Sequence, residues 1–198
     1  MTWIKHPIKL EGKKVILASL EPAAFEALTE AGQEEIIWSF MPVNCVDRGK
    51  MLKELDAALT YRESGEQYPF VVIDKSTQKI IGSTRFLRLN EEHKNLEIGY
   101  TWYNPQYWGR GYNDECKLLL LQYCFETLKT IRVQITAAEK NSRSRKAILR
   151  IGATFEGILR HIVVRNGDKR SAAYYSILEE EWPTVKLNLE RLVAERLK

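Results

Sequence analysis

Three stretches of β-type sequence follow one another at residues 68–74, 79–90 and 95–103. The connections between them are short and polar, as in turns that join antiparallel neighbours. This pattern predicts a β-meander. A Gly-x-Gly loop at residues 109–111 then leads into a helical pattern that reaches about residue 128. A chain with this order places a loop and the start of a helix at one end of a sheet.

Further elements are predicted on both sides of the meander from their periodicity. The strands expected there are residues 14–20, 131–137, 153–164 and 170–178, and the helices are residues 21–31, 47–64, 144–151 and 179–198. An Asn-Gly turn at residues 165–168 joins the last two strands. The chain shows no repeat, low-complexity segment or long linker. We therefore expect one mixed α/β domain over residues 1–198.

Charge and hydropathy favour a protein without nucleic-acid or membrane partners. The 30 basic residues are interspersed with 26 acidic ones, for a net charge of +4. The longest aliphatic run, Leu118 to Leu121, is far shorter than the roughly 20 residues needed to span a bilayer. The first 14 residues contain no apolar stretch that resembles a signal sequence.

The cysteines predict a reduced protein without a metal site. Cys45, Cys116 and Cys124 are odd in number and lack the spacing of metal ligands. A disulfide framework is therefore not expected, and the default compartment is a reducing one. These features together predict a cytoplasmic location.

A Gly-x-Gly loop between a strand and a helix can form a phosphate site, although by itself it is weak evidence for one. Such a loop turns backbone N–H groups inward, and the helix that follows adds its positive end. The same glycines can also serve only to cap the helix. No Gly-Lys-Ser/Thr sequence follows, and a third glycine is missing, so neither common nucleotide motif fits.

The sequence around this loop resembles a known family. Gln106-x-x-Gly109-x-Gly111 is similar to the pyrophosphate loop of Gcn5-related N-acetyltransferases. Glu97-Ile98-Gly99-Tyr100, with the stretch 105–112, resembles their RimJ/RimL-like branch, and Asn141-Ser142-Arg143-Ser144 resembles that family's Asn-x-x-Ser. The resemblance covers roughly residues 10–182.

This resemblance implies a three-layer fold. A twisted mixed sheet of about seven strands is splayed at the fourth strand, and helices cover both faces. Acetyl-CoA, as a co-substrate, lies in the split. A homodimer is compatible with the resemblance.

The resemblance also implies which residues bind the cofactor. Backbone groups of residues 101–103 are expected to pair with the pantetheine arm, and residues 106–112 to hold the pyrophosphate. Asn141 is expected to bind the pantetheine amide, and the basic residues to flank the phosphates. The cofactor residues expected are Thr101, Trp102, Tyr103, Gln106, Tyr107, Trp108, Gly109, Arg110, Gly111, Tyr112, Asn141, Ser144, Arg145 and Lys146. A solvated helix face is the alternative interpretation of the basic residues.

Acyl transfer to an amine also needs proton transfer. An alkyl amine is protonated at pH 7, so a base or a water chain must accept its proton. Glu97 is the first candidate because it faces away from its apolar neighbours on the strand that enters the loop. A hydrogen-bonded structural role for Glu97 is the alternative.

The departing CoA thiolate needs a proton, for which Ser144 and Tyr175 are the candidates. Ser144 occupies the Asn-x-x-Ser position, and Tyr175 belongs to a Tyr-Ser pair typical of the family's last strand. In the alternative interpretation Ser144 caps its helix and Tyr175 lies in the core.

The function predicted is transfer of an acetyl group from acetyl-CoA to a primary amine, either a protein N-terminus or a small molecule. A catalytically weak acyl-CoA-binding sensor is the alternative. His161 lies in an apolar strand context that favours a structural role. The residues expected either in an acceptor pocket or in the core are Trp38, Phe40, Met41 and Tyr68.

Overall fold

The computed structural model describes residues 3–165 and 167–196. The strands are β1 (Lys9–Glu11), β2 (Val15–Ser19), β3 (Gln67–Asp74), β4 (Ile80–Asn90), β5 (Asn95–Tyr103), β6 (Arg132–Ala138), β7 (Thr154–Arg165) and β8 (Asp168–Leu178). The α-helices are α1 (Phe25–Ala31), α2 (Glu35–Trp38), α3 (Arg48–Glu63), α4 (Tyr112–Gln122), α5 (Ser142–Arg150) and α6 (Trp182–Glu195). Asn166 of the expected Asn-Gly turn lies outside the described residues.

The strands form one mixed sheet in the order β1-β2-β3-β4-β5-β6-β8-β7. Every neighbouring pair is antiparallel except β5 and β6, which are parallel. These two strands pair only over Asn95–Glu97 and Arg132–Gln134, and then diverge. The expected split in the sheet is therefore present.

The expected α/β fold is confirmed, with small differences in its elements. The sheet has eight strands instead of about seven because β1 adds an edge strand to β2. Without β1, the splayed strand β5 is the fourth, as expected. Strand β1 and helix α2, of three and four residues, are too short to show a period in the sequence. Pro183 lies in the first turn of α6, where proline is compatible with a helix, and does not interrupt it.

Helices cover both faces of the sheet. Phe70 and Val72 pack in a core with residues of α4, α5 and α6, whereas Val71 packs in a second core with residues of α1 and α3. Alternate residues of one strand point to opposite faces, so the two cores lie on opposite sides of the sheet. The arrangement has the three layers expected.

One extra residue interrupts the regular pairing of β5. Residues 100 and 101 both lie opposite Thr84, and Tyr100 has a φ of 49°. Such a bulge reverses the alternation of side chains beyond it. Ile98 consequently packs in the core with α4, whereas Trp102 packs in the core with α3. Simple alternation along β5 predicts one shared face for Leu96, Ile98, Tyr100 and Trp102, and the bulge makes that prediction wrong.

A buried carboxylate fixes the start of α4 against the sheet. Glu115 accepts hydrogen bonds of 2.7, 2.8 and 2.8 Å from the backbone N–H groups of Lys13, Lys14 and Val15. A Cβ atom at Gly12 would lie 2.6 Å from Cδ of Glu115, so this close approach requires glycine. The contact holds the first turn of α4 beside the beginning of β2.

Candidate active site

A groove of about 1050 Å³ opens where β5 and β6 diverge. Residues of β5 and the loop that follows it form one wall, and residues of β6 and α5 form the other. Most residues expected from the sequence to bind a cofactor line this groove. They are Thr101, Trp102, Tyr103, Tyr107, Trp108, Gly109, Gly111, Tyr112, Asn141, Ser144 and Lys146.

Three of the expected cofactor residues do not line the groove. Gln106 and Arg110 are exposed and lie outside the groove lining. Arg145 points to the opposite side of α5, where its Nε donates a 2.9 Å hydrogen bond to the hydroxyl of Tyr175. Helical periodicity explains this difference, because neighbouring helix positions differ in direction by about 100°. Arg143 lines the groove and was missed in the sequence, where Arg145 was preferred.

The glycine loop presents backbone N–H groups at the mouth of the groove. Gly109 and Gly111 have φ angles of 73° and 87°, a left-handed conformation that favours glycine. No described residue accepts a hydrogen bond from the N–H groups of residues 109–111. The first helical bond of α4 is donated by Glu115, so the N–H groups of residues 112–114 also lack helical partners. This arrangement suits an anion such as a pyrophosphate.

An arginine and a tryptophan connect the two walls. Arg143 of α5 lies with its guanidinium carbon 3.5 Å from the ring centre of Trp108. The indole Nε1 of Trp108 donates a 2.9 Å hydrogen bond to the carbonyl of Tyr103, which fixes the ring against the end of β5. Partial burial lowers the pKa of Arg143.

Glu97 reaches the groove from β5 and is held by several partners. Its side chain accepts hydrogen bonds of 2.6 Å from Oγ1 of Thr136 and 2.9 Å from Nε2 of Gln134, both on β6. Nε of Arg88 lies 3.4 Å from the same carboxylate. Glu97 is only 5% exposed, so these contacts satisfy a nearly buried charge. The position fits a base, and the hydrogen bonds also fit the structural role considered for this residue.

Asn141 begins helix α5, and Ser144 lies inside its first turn. The side chain of Asn141 accepts a 3.1 Å hydrogen bond from the backbone N–H of Ser144. The helix starts two residues before the expected residue 144, so the cap is Asn141, and the interpretation of Ser144 as the cap was wrong. Ser144 lines the groove.

Tyr175 is a core residue and does not line the groove. Its side chain has no exposed surface, and its hydroxyl accepts the hydrogen bond from Arg145. The preceding residue, Tyr174, lines the groove because neighbouring strand residues face opposite sides. The sequence pattern identified the Tyr-Ser pair but not the face on which its tyrosine lies.

Residues 14–154 match the family model described as "Acetyltransferase (GNAT) domain". The chain belongs to the GNAT acetyltransferase family. It is therefore an acyltransferase, and the expected family is confirmed.

Individual GNAT proteins agree with this assignment. The uncharacterized N-acetyltransferase YnaD of Bacillus subtilis is 26% identical over 173 residues, which cover 86% of this chain and 96% of YnaD. A GCN5-related N-acetyltransferase from Brucella melitensis has a crystal structure that superposes with a TM-score of 0.88 at 28% identity, covering 96% of this chain and 88% of that one.

A spermidine N-acetyltransferase from Vibrio cholerae shares the fold. Its structure in complex with CoA and spermine superposes with a TM-score of 0.73 at 20% identity, and the match covers 87% of this chain and 99% of that one. At this level of identity the comparison shows the fold alone.

Lys117 of this GNAT domain lines the groove and was missed in the sequence. Its Nζ donates a 3.1 Å hydrogen bond to Oγ1 of Thr101 beside the bulge in β5. Burial lowers its pKa from 10.5 to about 8. The sequence did contain a sign that Lys117 faces inward. On α4 it lies three and four residues before Leu120 and Leu121, which are both fully buried, so the three residues share one face of the helix.

Of the four residues expected either in a pocket or in the core, two lie in each. Phe40 and Met41 line the GNAT groove. Trp38 and Tyr68 are buried in the two cores, where the hydroxyl groups of Tyr68 and Ser19 form a 2.7 Å hydrogen bond.

The described residues show neither a membrane helix nor a metal cluster. No helix within residues 3–165 and 167–196 has the length and hydropathy needed to cross a bilayer. Over the same residues, His, Cys, Asp and Glu side chains form no group of three suited to a metal ion.

Proposed function

We propose that this GNAT protein transfers the acetyl group of acetyl-CoA directly to a primary amine. The observation that carries this proposal is the split between β5 and β6, which opens into a groove with free N–H groups at its mouth. A thioester at the end of a long flexible arm can lie between the strands while its phosphates remain at the glycine loop.

The proposed cofactor orientation places the pyrophosphate at residues 109–114. The free N–H groups there, together with the positive end of α4, favour a doubly charged anion. Arg143 and Lys146 line the same groove and are proposed to bind phosphate oxygens. Arg145 is not retained in this role because its guanidinium binds the hydroxyl of Tyr175.

The pantetheine arm is proposed to lie along residues 101–103. These residues belong to the part of β5 beyond the last pair with β6, so one edge of the strand is free of a neighbour. Backbone groups of that edge can pair with the amides of the arm, as an added strand does. Asn141 lines the groove nearby, and its amide nitrogen is proposed to bind the same arm.

Glu97 is proposed to accept the proton of the attacking amine, through a water molecule. The neutral amine then forms a C–N bond to the thioester carbon, and the C–S bond breaks. Ser144 is proposed to pass a proton to the departing thiolate, since it lines the groove. Overall, the ammonium nitrogen loses two protons: Glu97 passes the first to solvent, and the second, lost after the C–N bond forms, reaches the sulfur through Ser144. Tyr175 is not retained as a proton donor because it lies outside the groove.

The acceptor is proposed to enter at the end of the groove away from the glycine loop. Ile37, Phe40 and Met41 provide an apolar surface in the lining, and Arg88 lies there beside the carboxylate of Glu97. One protein that shares the fold is a spermidine N-acetyltransferase, whose structure contains spermine, and we propose the same acceptor class, a primary amine, for this chain. Both small amines and protein N-termini belong to this class.

The test combines binding with turnover. Isothermal titration measures the affinity for acetyl-CoA. The same titration with dephospho-CoA measures how much the 3′-phosphate contributes to that affinity. Thiol release with a panel of polyamines, amino acids and N-terminal peptides then measures turnover. Acetylated products from a cell extract supplied with labelled acetyl-CoA are identified by mass spectrometry. Tight binding without turnover of any amine would instead support the acyl-CoA sensor, and absence of binding would reject both functions.

A further inference from the structure

Lys117 carries a buried charge that no acid compensates. Two basic side chains in the described part of the chain are buried, Arg85 and Lys117, at 5% and 4% exposure. Arg85 has Glu54 at 3.1 Å. For Lys117, the described residues offer no carboxylate within ion-pair distance, and the hydroxyl of Thr101 is its hydrogen-bond partner. An uncompensated buried ammonium is costly, and a perturbed titratable group in a cleft is a candidate functional residue.

The acids near α4 are engaged elsewhere. Asp114 is paired with Arg150, and Glu115 binds the backbone of residues 13–15. Across the groove, Glu97 is held by β6. None of these acids pairs with the ammonium of Lys117, whose hydrogen-bond partner in the described structure is the hydroxyl of Thr101.

The other titratable groups that face Lys117 are uncharged at neutral pH. They are the thiols of Cys116 and Cys124, and burial raises the pKa of both. Lys117 therefore supplies the positive charge of this part of the groove.

The position of Lys117 connects it to the bulge in β5. Its Nζ donates to Oγ1 of Thr101, and that oxygen forms a second hydrogen bond of 2.7 Å with Oγ1 of Thr84. Thr84 is the residue opposite the two bulged residues of β5. The ammonium thus lies where the strands have already separated, at the inner wall of the groove.

Resting on the proposed function, we propose that Lys117 is a further catalytic residue whose ammonium stabilises the negative charge that develops on the thioester oxygen of acetyl-CoA. When the amine attacks the carbonyl carbon, the C–N bond forms and the π electrons of the C=O bond move to the oxygen. They return when the C–S bond breaks. Lys117 keeps its proton throughout. A fixed charge beside the reacting oxygen is effective in this role because it needs no reorganisation during the reaction.

This role depends on the charge of Lys117 and therefore on pH. Burial lowers the pKa of Lys117 to about 8, so the ammonium is present at neutral pH and is lost as the pH rises above that value. Polarisation of the thioester is expected to follow the same titration. A role in packing alone would not change with pH in this way.

Infrared difference spectroscopy tests the proposal without a known acceptor. The probe is acetyl-CoA labelled with ¹³C at the acetyl carbonyl, bound to wild-type protein, Lys117→Met, Lys117→Gln and the control Lys79→Met. Lys79 is exposed in the turn between β3 and β4. In wild type and the control we expect the carbonyl stretch to shift to lower frequency on binding, and this shift to diminish above about pH 8. In both Lys117 variants we expect most of the shift to be lost while the affinity changes less than about threefold.

Other outcomes would overturn the proposal. An equal shift in wild type and both Lys117 variants would show that Lys117 does not polarise the thioester. Loss of acetyl-CoA binding in both variants would show that it only shapes the groove. Acetylation of Lys117 itself, seen by mass spectrometry, would show that it acts as an uncharged nucleophile. Failure of the wild-type protein to bind acetyl-CoA is a separate result and would reject the proposed function.

Discussion

The guanidinium carbon of Arg143 lies 3.5 Å from the ring centre of Trp108 and joins the two walls of the groove. Arg143 belongs to α5, and Trp108 belongs to the loop that follows β5. The contact orders both walls where the proposed cofactor enters. Its strength and its effect on binding can be measured together.

We expect Arg143→Ala and Trp108→Ala each to weaken acetyl-CoA binding about tenfold, with non-additive effects. A cation–π contact contributes about 1 kcal/mol, which corresponds to about a fivefold coupling. Isothermal titration of both single variants and the double variant measures this coupling. Strictly additive losses would contradict a functional contact between the two side chains.

The two loop glycines should differ in their sensitivity to a methyl group. A Cβ at Gly111 would lie 2.7 Å from Cβ of Arg196, whereas a Cβ at Gly109 has no neighbour within 4 Å. Both positions are left-handed, which costs about 1–2 kcal/mol for other residues. We therefore expect Gly109→Ala to lose about that much stability and Gly111→Ala at least about 1 kcal/mol more. Urea unfolding measures the loss in free energy of unfolding for the two variants, and each variant is the control for the other. Equal losses would contradict the contact with Arg196.

Glu97→Gln should lower turnover while acetyl-CoA binding is preserved. Removal of a general base reduces kcat by about 100-fold or more, and the amide keeps the size of the side chain. The control is Glu92→Gln, in the exposed turn between β4 and β5. Steady-state kinetics over about pH 6 to 9 measure the effect. If Glu97→Gln kept wild-type turnover throughout that range, Glu97 would have only a structural role, through its contacts with Thr136 and Gln134.

The sequence predicted most of the fold because its long elements carry clear periodicity. The limits of β3, β4 and β5 agree with the structure to within one residue of those expected. The bulge at Tyr100 was not predictable, since it depends on the pairing of β5 with Thr84 and leaves no trace in local composition. That one residue reversed the face of Trp102 and made the simple alternation fail.

The site was predictable in its motifs but not in its side-chain directions. The glycine loop and Asn141, which the family resemblance assigned to the cofactor, line the groove. Arg143 and Arg145 differ by two positions on one helix, and only the packing of α5 against the sheet determines that Arg145 meets Tyr175 and Arg143 meets Trp108. The importance of Lys117 could not be predicted from the sequence. It depends on the absence of a partner acid near its ammonium within the described structure.

Lys117→Met should be more stable than the wild type at neutral pH. The pKa of Lys117 is about 8 in the folded protein, against 10.5 when exposed, so below pH 8 the group is charged in both states and the folded state bears the full cost of burial. That cost is about 3 kcal/mol, the free energy equivalent to the difference in pKa.

The stability difference should shrink as the pH rises from about 8 towards 10.5, because the folded protein then releases a proton that the unfolded chain retains. Urea unfolding of Lys117→Met, wild type and Lys79→Met at pH 7 and pH 10 isolates this effect from other titrating groups. A Lys117→Met variant less stable than wild type at pH 7 would show that the ammonium is held for packing. A more stable variant with an unpolarised thioester would show that the chain accepts a cost in stability for its chemistry.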